Sequence, residues 1–296
     1  MTPVRQTGTH VPIMPTEVMS YLNIFTDGIY IDGTVGLGGH ATLILNRLSK
    51  KGHFIGIDLD AEALSLCTKR LSSHPTTFSL LHDSFHNLNA ILDGMGISQV
   101  NGILLDLGLS SLQLDSPLRG FTYTVDYDLD MRFDTSQKTK AIHIINQLPV
   151  KELANLIYQY GEEKRSRAIA RSIVKLRPLQ TVFDLVEAIR RSTPPNYRNR
   201  SIARVFQAIR IKVNGELEKL DTFLSSFYSR LTVGGRIAII SFHSLEDRRV
   251  KHCFKHLANE KKVSILTKKP LVPTPEELSE NRRSKSAKLR VAERIS

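Results

Sequence analysis

Apolar and polar positions follow two different rhythms along this chain. Over about the first 110 residues, short β-rich apolar runs take turns with segments of helical periodicity, as in successive βαβ units around a parallel sheet. Tyr30–Asp32, His53–Asp58, Thr77–His82 and Gly102–Leu107 read as strands, and Ala41–Leu48 and Ala61–Leu71 as helices. Gln113–Asp134 is turn-rich and acidic. From Lys140 to about Leu231 the period is helical, with almost no strand signal. Strand character returns at Gly235–Phe242, after the Gly234-Gly235 turn, so the sheet is expected to resume there.

The pattern divides the chain into a first core part at 1–115, an inserted all-helical domain at 116–212, and a second core part with a basic tail at 213–296. Within the insertion, Arg167, Arg171 and Lys175 recur at i, i+4, i+8, while Ile169, Ile173 and Leu176 fall on the other side. One face of that helix is basic and the other packs. Thr193-Pro194-Pro195-Asn196 interrupts the helical run, and Arg198, Arg200 and Arg204 are expected in or beside the loop, within reach of phosphate. The last 27 residues, from Pro270, read as loosely structured and basic. No internal repeat is present.

Length and composition narrow the class. A chain of 296 residues accommodates one core domain carrying a smaller one, and 41% hydrophobic with 24% charged residues suits a globular fold rather than a disordered one. No run approaches the roughly 18 apolar residues of a membrane span, and the polar N-terminus does not resemble a signal peptide. A cytoplasmic location is the resulting expectation. Cys67 and Cys253 are the only cysteines, far apart and outside any metal-type cluster, so two free thiols and no metal are expected.

The net charge of +12 speaks to partners. Lys164–Lys212 holds 13 Lys/Arg against 2 acidic residues, and Asn281–Ser296 holds six against Glu293 alone. Nucleic acid is the natural partner. A merely solvated basic surface is the bland alternative.

The densest chemical signal is Tyr30-Ile31-Asp32-Gly33-Thr34-Val35-Gly36-Leu37-Gly38-Gly39-His40, a glycine loop between a strand and a helix, where α/β folds bind nucleotide-like ligands. Gly36-x-Gly38-x-x-Ala41 also fits the dinucleotide fingerprint, so the glycines alone do not separate NAD from S-adenosylmethionine (SAM). Asp58, ending the second strand, is placed to accept from ribose hydroxyls of either. Asp32 favours SAM, because a carboxylate there suits a sulfonium and an amino group and repels a pyrophosphate. Phe85, in Asp83-Ser84-Phe85, is placed to stack an adenine or simply to fill the core. Asp106 ends the fourth strand and points at the reaction zone, without the Asp/Asn-Pro-Pro-aromatic run many amino-methylating enzymes carry there.

With these residues in hand the chain resembles a known family. The glycine loop, Leu105-Asp106-Leu107-Gly108-Leu109-Ser110-Ser111-Leu112-Gln113-Leu114-Asp115, Arg119-Gly120-Phe121, Leu129-Asp130-Met131-Arg132 and Ser241-Phe242-His243-Ser244-Leu245-Glu246-Asp247-Arg248 are similar to the ribosomal small-subunit RNA (cytosine-N4) methyltransferases, the MraW or RsmH family. Gly161-Glu162-Glu163, Phe206–Arg210, Val213–Leu217 and Arg283–Arg290 add to the likeness, which spans nearly the whole chain in order. The resemblance implies a Rossmann-like class I SAM-dependent methyltransferase domain with an inserted helical domain used for substrate recognition. It implies methyl transfer to N4 of a decoding-region cytidine in small-subunit (16S) ribosomal RNA, within the ribosomal particle, by a monomer or weak homodimer. Gly38, Gly39, His40, Asp58, Phe85, Asp106 and Gln113 match the family's SAM-contacting positions, and His10–Met14 would close over the site. Leu112, Tyr127-Asp128 and Ser201–Arg204 depart from the family's pattern, which bears on local RNA contacts.

Asp106 is the first catalytic candidate, holding either the cytosine amine or the SAM amino group. His243 is the second, contacting the base, taking a proton, or capping its turn. Glu246 and Asp247 are expected to pair with Arg248 or Arg249. Arg167, Arg171, Arg198, Arg200 and Arg204 are the RNA-contacting candidates. Two other classes remain open from the residues alone: a nicotinamide-dependent oxidoreductase, and a non-catalytic RNA-binding protein.

Overall fold

The computed structural model describes residues 12–115 and 119–296. The chain folds as two compact units, Met1–Gly108 with Lys219–Ser296, and Leu109–Glu218.

In the first unit, α1 (Pro15–Leu22) precedes β1 (Ile29–Asp32), α2 (Gly39–Leu45), β2 (His53–Asp58), α3 (Ala61–Leu71), β3 (Thr77–His82), α4 (Leu88–Gly94) and β4 (Val100–Asp106). β2 and β4 are near-continuous apolar runs because both of their faces are covered. Successive β4 residues point opposite ways: Leu104 joins the core under α1, α2 and α3, while Ile103 and Leu105 join the core on the other face with Leu88 and Leu92 of α4. α3 shows how locally such a helix is specified. Asp60 caps its start by accepting from the Glu62 and Ala63 N–H groups, Ala63, Leu64, Cys67 and Leu71 are buried, and Lys69 and Arg70 sit in the last turn, where the helix dipole favours cations.

The second unit contains α5 (Ser111–Asp115) and, around one apolar core, α6 (Ala141–Gln147), α7 (Val150–Gly161), α8 (Ser166–Leu176), α9 (Val182–Arg191) and α10 (Arg198–Asn214). Ile169 and Ile173 are fully buried while Arg167, Arg171 and Lys175 are exposed, so α8 has the two faces its spacing predicts. Gly161 lets α7 lie against α10, since a Cβ there would stand 2.5 Å from the Arg204 carbonyl oxygen. The signature segments around Arg119, Asp130 and Asn214 form one knot. Arg119 donates to the Arg132 and Phe133 carbonyls, Arg132 forks onto Asp130, and Asn214 accepts from the Phe133 N–H and donates to the Met131 carbonyl. Burial works to raise the Asp130 carboxyl, but the Arg132 hydrogen bonds outweigh it and hold it low. This knot, with the Arg210–Glu216 ion pair, carries the second unit beyond the 116–212 read from periodicity.

Returning to the first unit, α11 (Glu216–Ser226) contributes Leu220, Phe223 and Leu224 to the core shared with α4, followed by β5 (Leu231–Ser241), α12 (Ser244–Asn259), β6 (Val263–Ile265), α13 (Pro275–Glu280) and β7 (Lys288–Arg294). The strands lie in the order β3-β2-β1-β4-β5-β7-β6; the first five are parallel, and β7 runs antiparallel between β5 and β6.

Three expectations change. The C-terminal stretch is not a loose tail: β7 is inside the sheet, with Leu289 and Val291 fully buried and Arg290 neutralised by Asp247 at 2.6 Å. β5 starts at Leu231 rather than Gly235, because Gly234 (φ +79°) absorbs a register shift opposite Val100 and Gly102 instead of turning the chain. Arg198, Arg200 and Arg204 belong to α10; the loop closes at the 3-10 turn Pro195–Tyr197 just before it. No helix among the described residues is long and apolar enough to cross a membrane.

Candidate active site

In the first unit, the carboxyl ends of β1, β2 and β4 each deliver an aspartate: Asp32, Asp58 and Asp106. The sheet order reverses between β1 and β4, and open α/β sheets bind ligands at that crevice. The glycine loop is sewn into it. Gly33 N–H donates to the Leu104 carbonyl of β4, Val35 N–H to the Ile57 carbonyl of β2, and Gly36 N–H to Asp58 Oδ2 at 2.7 Å. Thr34 ties both sides: its N–H donates to Asp32 Oδ1 at 3.0 Å, and its hydroxyl accepts from the Asp106 N–H at 2.7 Å.

Glycine is required where the loop passes closest. A Cβ on Gly38, whose φ is +79°, would stand 2.8 Å from Cys67 Sγ; one on Gly33 would meet Leu105 Cδ2 at 2.5 Å and Phe85 Cβ at 2.9 Å. Gly38 caps α2, and Gly39 and the buried His40 open it. His40 Nε2 is 3.8 Å from Asp106 Oδ2. Phe85, half-buried, sets its edge against Phe223 at 5.6 Å between ring centres.

The electrostatics of this crevice are unbalanced. Burial, with Asp58 nearby, pushes the Asp32 carboxyl up to about 7, and burial, with Asp60 nearby, pushes Asp58 up to about 6. Asp106 is raised well above the usual carboxylate range by burial and then by Asp32, Glu246 and Glu277. No lysine or arginine pairs with any of the three among the described residues. Asp106 Oδ1 is buried without a hydrogen-bond partner among the described residues. Three carboxyls held this way form a seat for a cation, because an incoming positive charge restores all of them toward their ordinary ionisation.

His243 is the N-cap of α12. Its Nδ1 accepts from the Glu246 N–H at 3.3 Å and its Nε2 lies 3.2 Å from Glu246 Oε1, while Glu246 Oε2 accepts from the Phe242 and His243 N–H groups. With Nδ1 accepting, the neutral ring carries its proton on Nε2, which is buried and makes no hydrogen bond among the described residues. Asp247 pairs with Arg290 and Lys288 of β7, and Arg249 with Asp221 of α11, rather than with each other. Glu246 was read only as a surface partner for an arginine; its place three residues after His243 is the capping-box spacing that identifies its role. Thr34 carries no such signal.

Gln113, in the second unit, is buried and accepts from the Ser110 N–H at 3.1 Å. His10 and Val11 lie outside the described residues. Met14 of the same N-terminal segment is buried, and its N–H donates to Glu277 Oε1 at 2.9 Å. Of the RNA candidates, Arg167, Arg171 and Arg200 are exposed, whereas Arg204 turns to the buried Glu163 at 3.6 Å and Arg198 Nε donates to the Thr193 carbonyl.

A sheet in this order with a reversed β7, a glycine loop after β1 and acidic residues ending β1, β2 and β4 defines a Rossmann-like class I methyltransferase. Within that class the chain belongs to the MraW methylase family, which it matches over residues 7–295. It is 48% identical over 295 residues to the ribosomal RNA small subunit methyltransferase H of Thermosipho africanus, covering 98% of this chain and 99% of that one. The enzymes of the same name from Kosmotoga olearia and Caldicellulosiruptor saccharolyticus are 47% and 44% identical, with 97% of this chain covered in both and 98% and 99% of theirs. The chain is a methyltransferase.

Proposed function

We propose that this enzyme methylates the exocyclic N4 of a decoding-region cytidine in small-subunit ribosomal RNA, using SAM, in the cytoplasm. Its substrate is the RNA within the ribosomal particle, and it acts as a monomer or weak homodimer. The observation that carries the cofactor reading is the uncompensated carboxyl cluster of Asp32, Asp58 and Asp106: it suits a sulfonium and an α-amino group and disfavours the pyrophosphate of a dinucleotide. Bound SAM would supply a methyl group on a positively charged sulfur.

The roles of the chain's own residues follow. Asp58 keeps a lone pair on each oxygen beyond those given to the Gly36 and Asp60 N–H groups, enough to accept from two ribose hydroxyls. Gly38 and Gly39 admit the ligand close to the backbone, Phe85 offers an apolar surface to an adenine, and His40 completes the set within the first unit.

Cytosine N4 is a poor nucleophile because its lone pair is delocalised into the ring, so orientation supplies most of the acceleration. Asp106 Oδ1 is the free acceptor for an N4 hydrogen. As a carboxylate beside the bound cation, Asp106 would orient N4 through that hydrogen and take the proton released as the new bond forms, worth about 10²–10⁴-fold. His243, its Nδ1 committed to the cap of α12, holds the Phe242–Ser244 turn.

Calorimetric titration with SAM and, separately, NAD tests the cofactor, and transfer of labelled methyl to small subunits lacking the mark tests the substrate. SAM binding alone, weakened by Asp58→Ala, with label recovered at cytidine N4, is the expected result. NAD binding alone, or RNA binding with neither cofactor, would overturn it.

A further inference from the structure

We propose that the converging starts of α8 and α10 form a docking platform for an unpaired stretch of RNA, with Tyr197 stacking a base and Arg165 and its neighbours holding the flanking phosphates. The proposal rests on the RNA-methyltransferase reading and extends it to a surface of the second unit.

The platform is a built feature. The buried Glu163 clamps the two helix starts: Oε1 accepts from the Arg165 N–H at 2.9 Å, and Oε2 accepts from the Ser201 hydroxyl at 3.0 Å and faces Arg204 at 3.6 Å. Arg198 Nε donates to the Thr193 carbonyl, and the Tyr197 N–H to the Pro194 carbonyl, so the turn before α10 is fixed. Arg198 and Arg204 are therefore struts. What the clamp presents is Tyr197, half exposed, with the Arg165 guanidinium 5.1 Å from its ring centre. A buried acid and two arginines are spent on holding at the surface an aromatic ring that stays half exposed.

The surrounding charge points the same way. Lys164, Arg165, Arg167, Arg171 and Arg200 are exposed, and none forms an ion pair with a carboxylate among the described residues. A cationic track beside an exposed aromatic stacked on arginine is the chemistry that recognises single-stranded nucleic acid: bases stack on the ring and phosphates follow the charge. Duplex RNA keeps its bases stacked internally and offers nothing to Tyr197.

The test measures binding of a labelled single-stranded RNA 12-mer and of a duplex of equal length by anisotropy, on wild type, Tyr197→Ala and Tyr197→Phe. Tyr197→Ala should weaken single-strand binding by about 5- to 100-fold, leave duplex binding within about twofold, and be rescued by Tyr197→Phe. Thermal melting and SAM titration, both unchanged, establish that the variant is folded. Single-strand binding equal to wild type, or an equal loss on both RNAs, overturns the platform. These outcomes stand apart from the enzymatic reading: a wild type that methylates small subunits while Tyr197→Ala binds normally removes the platform alone, and a wild type that binds RNA through Tyr197 without methylating removes the activity alone.

Discussion

The two units place their unbalanced charge with opposite sign. Among the described residues, three aspartates of the first unit end neighbouring strands in a buried crevice with no lysine or arginine paired to them, and Arg167 and Arg171 of the second line an exposed helix face with no carboxylate paired to them. Buried charges elsewhere have partners, as in Arg290–Asp247 and Arg210–Glu216. Unmatched charge costs free energy, so where it persists it marks a place whose counter-charge arrives with a ligand. The net charge of +12 conceals this, because a sum over the chain reports the arginine face and cancels the carboxyl crevice. One site is shaped for a small cation and the other for a polyanion, as a methyl donor and its RNA substrate require.

The sharpest way to break the comparison is at Asp106. Asp106→Asn keeps the shape and one acceptor oxygen but cannot become a carboxylate, so single-turnover methyl transfer should fall by about 10²–10⁴-fold with RNA binding unchanged. Transfer within about twofold of wild type would show that the crevice's charge is not used in the reaction.

A second test reads the cost of the crevice directly. The Asp32 carboxyl, raised to about 7, binds more protons folded than unfolded between about pH 4 and 7, so the stability of the SAM-free protein should fall as pH rises through that window. Asp32→Asn lacks that slope and keeps an acceptor for Thr34. It should therefore melt higher than wild type at pH 8, by roughly 1–4 kcal/mol of stability, with the gain fading toward pH 4. SAM affinity of the wild type should rise from pH 5 to pH 8 as Asp58 and Asp32 ionise, and Asp32→Asn should flatten that rise. A pH-independent difference in melting would mean that packing, not ionisation, separates the two proteins.

How much of this could be read beforehand depended on sequence distance. β2, β3 and α3 have the bounds their periodicity predicts, and the glycine loop with Asp32, Asp58 and Asp106 was legible because each lies at the end of a recognisable strand. β7 was not: Lys288, Arg290 and Arg294 disguise the alternation of Leu289 and Val291, and the partner that allows Arg290 to be buried, Asp247, is 43 residues away. The same limit hid the Glu163 clamp, whose Ser201 partner is 38 residues distant. The family signatures at Arg119 and Asp130 were visible as motifs, yet their work is internal, fixing a loop that has little regular structure of its own. A motif announces that residues are needed; only their partners say whether they hold the fold or face a ligand.

The smallest effect separates the arginine face from a merely solvated one. Each phosphate contact releases about one counterion, so log affinity falls with log salt at a slope near 0.7 per contact for a single strand. Arg167 and Arg171 lie one turn apart on the exposed face of α8 and pair with no carboxylate among the described residues. Their double replacement by alanine should reduce the slope by about 1 to 1.5 and weaken binding severalfold at low salt. The effect should be similar for every sequence, because phosphate contacts position RNA without reading it. Replacing Arg191 is the matched control: it is equally exposed but paired with Glu187 at 2.9 Å, and its loss should leave the slope unchanged. Equal slopes for wild type and the double variant would make the basic face solvated surface, and the unmatched charge of the second unit would then need another partner.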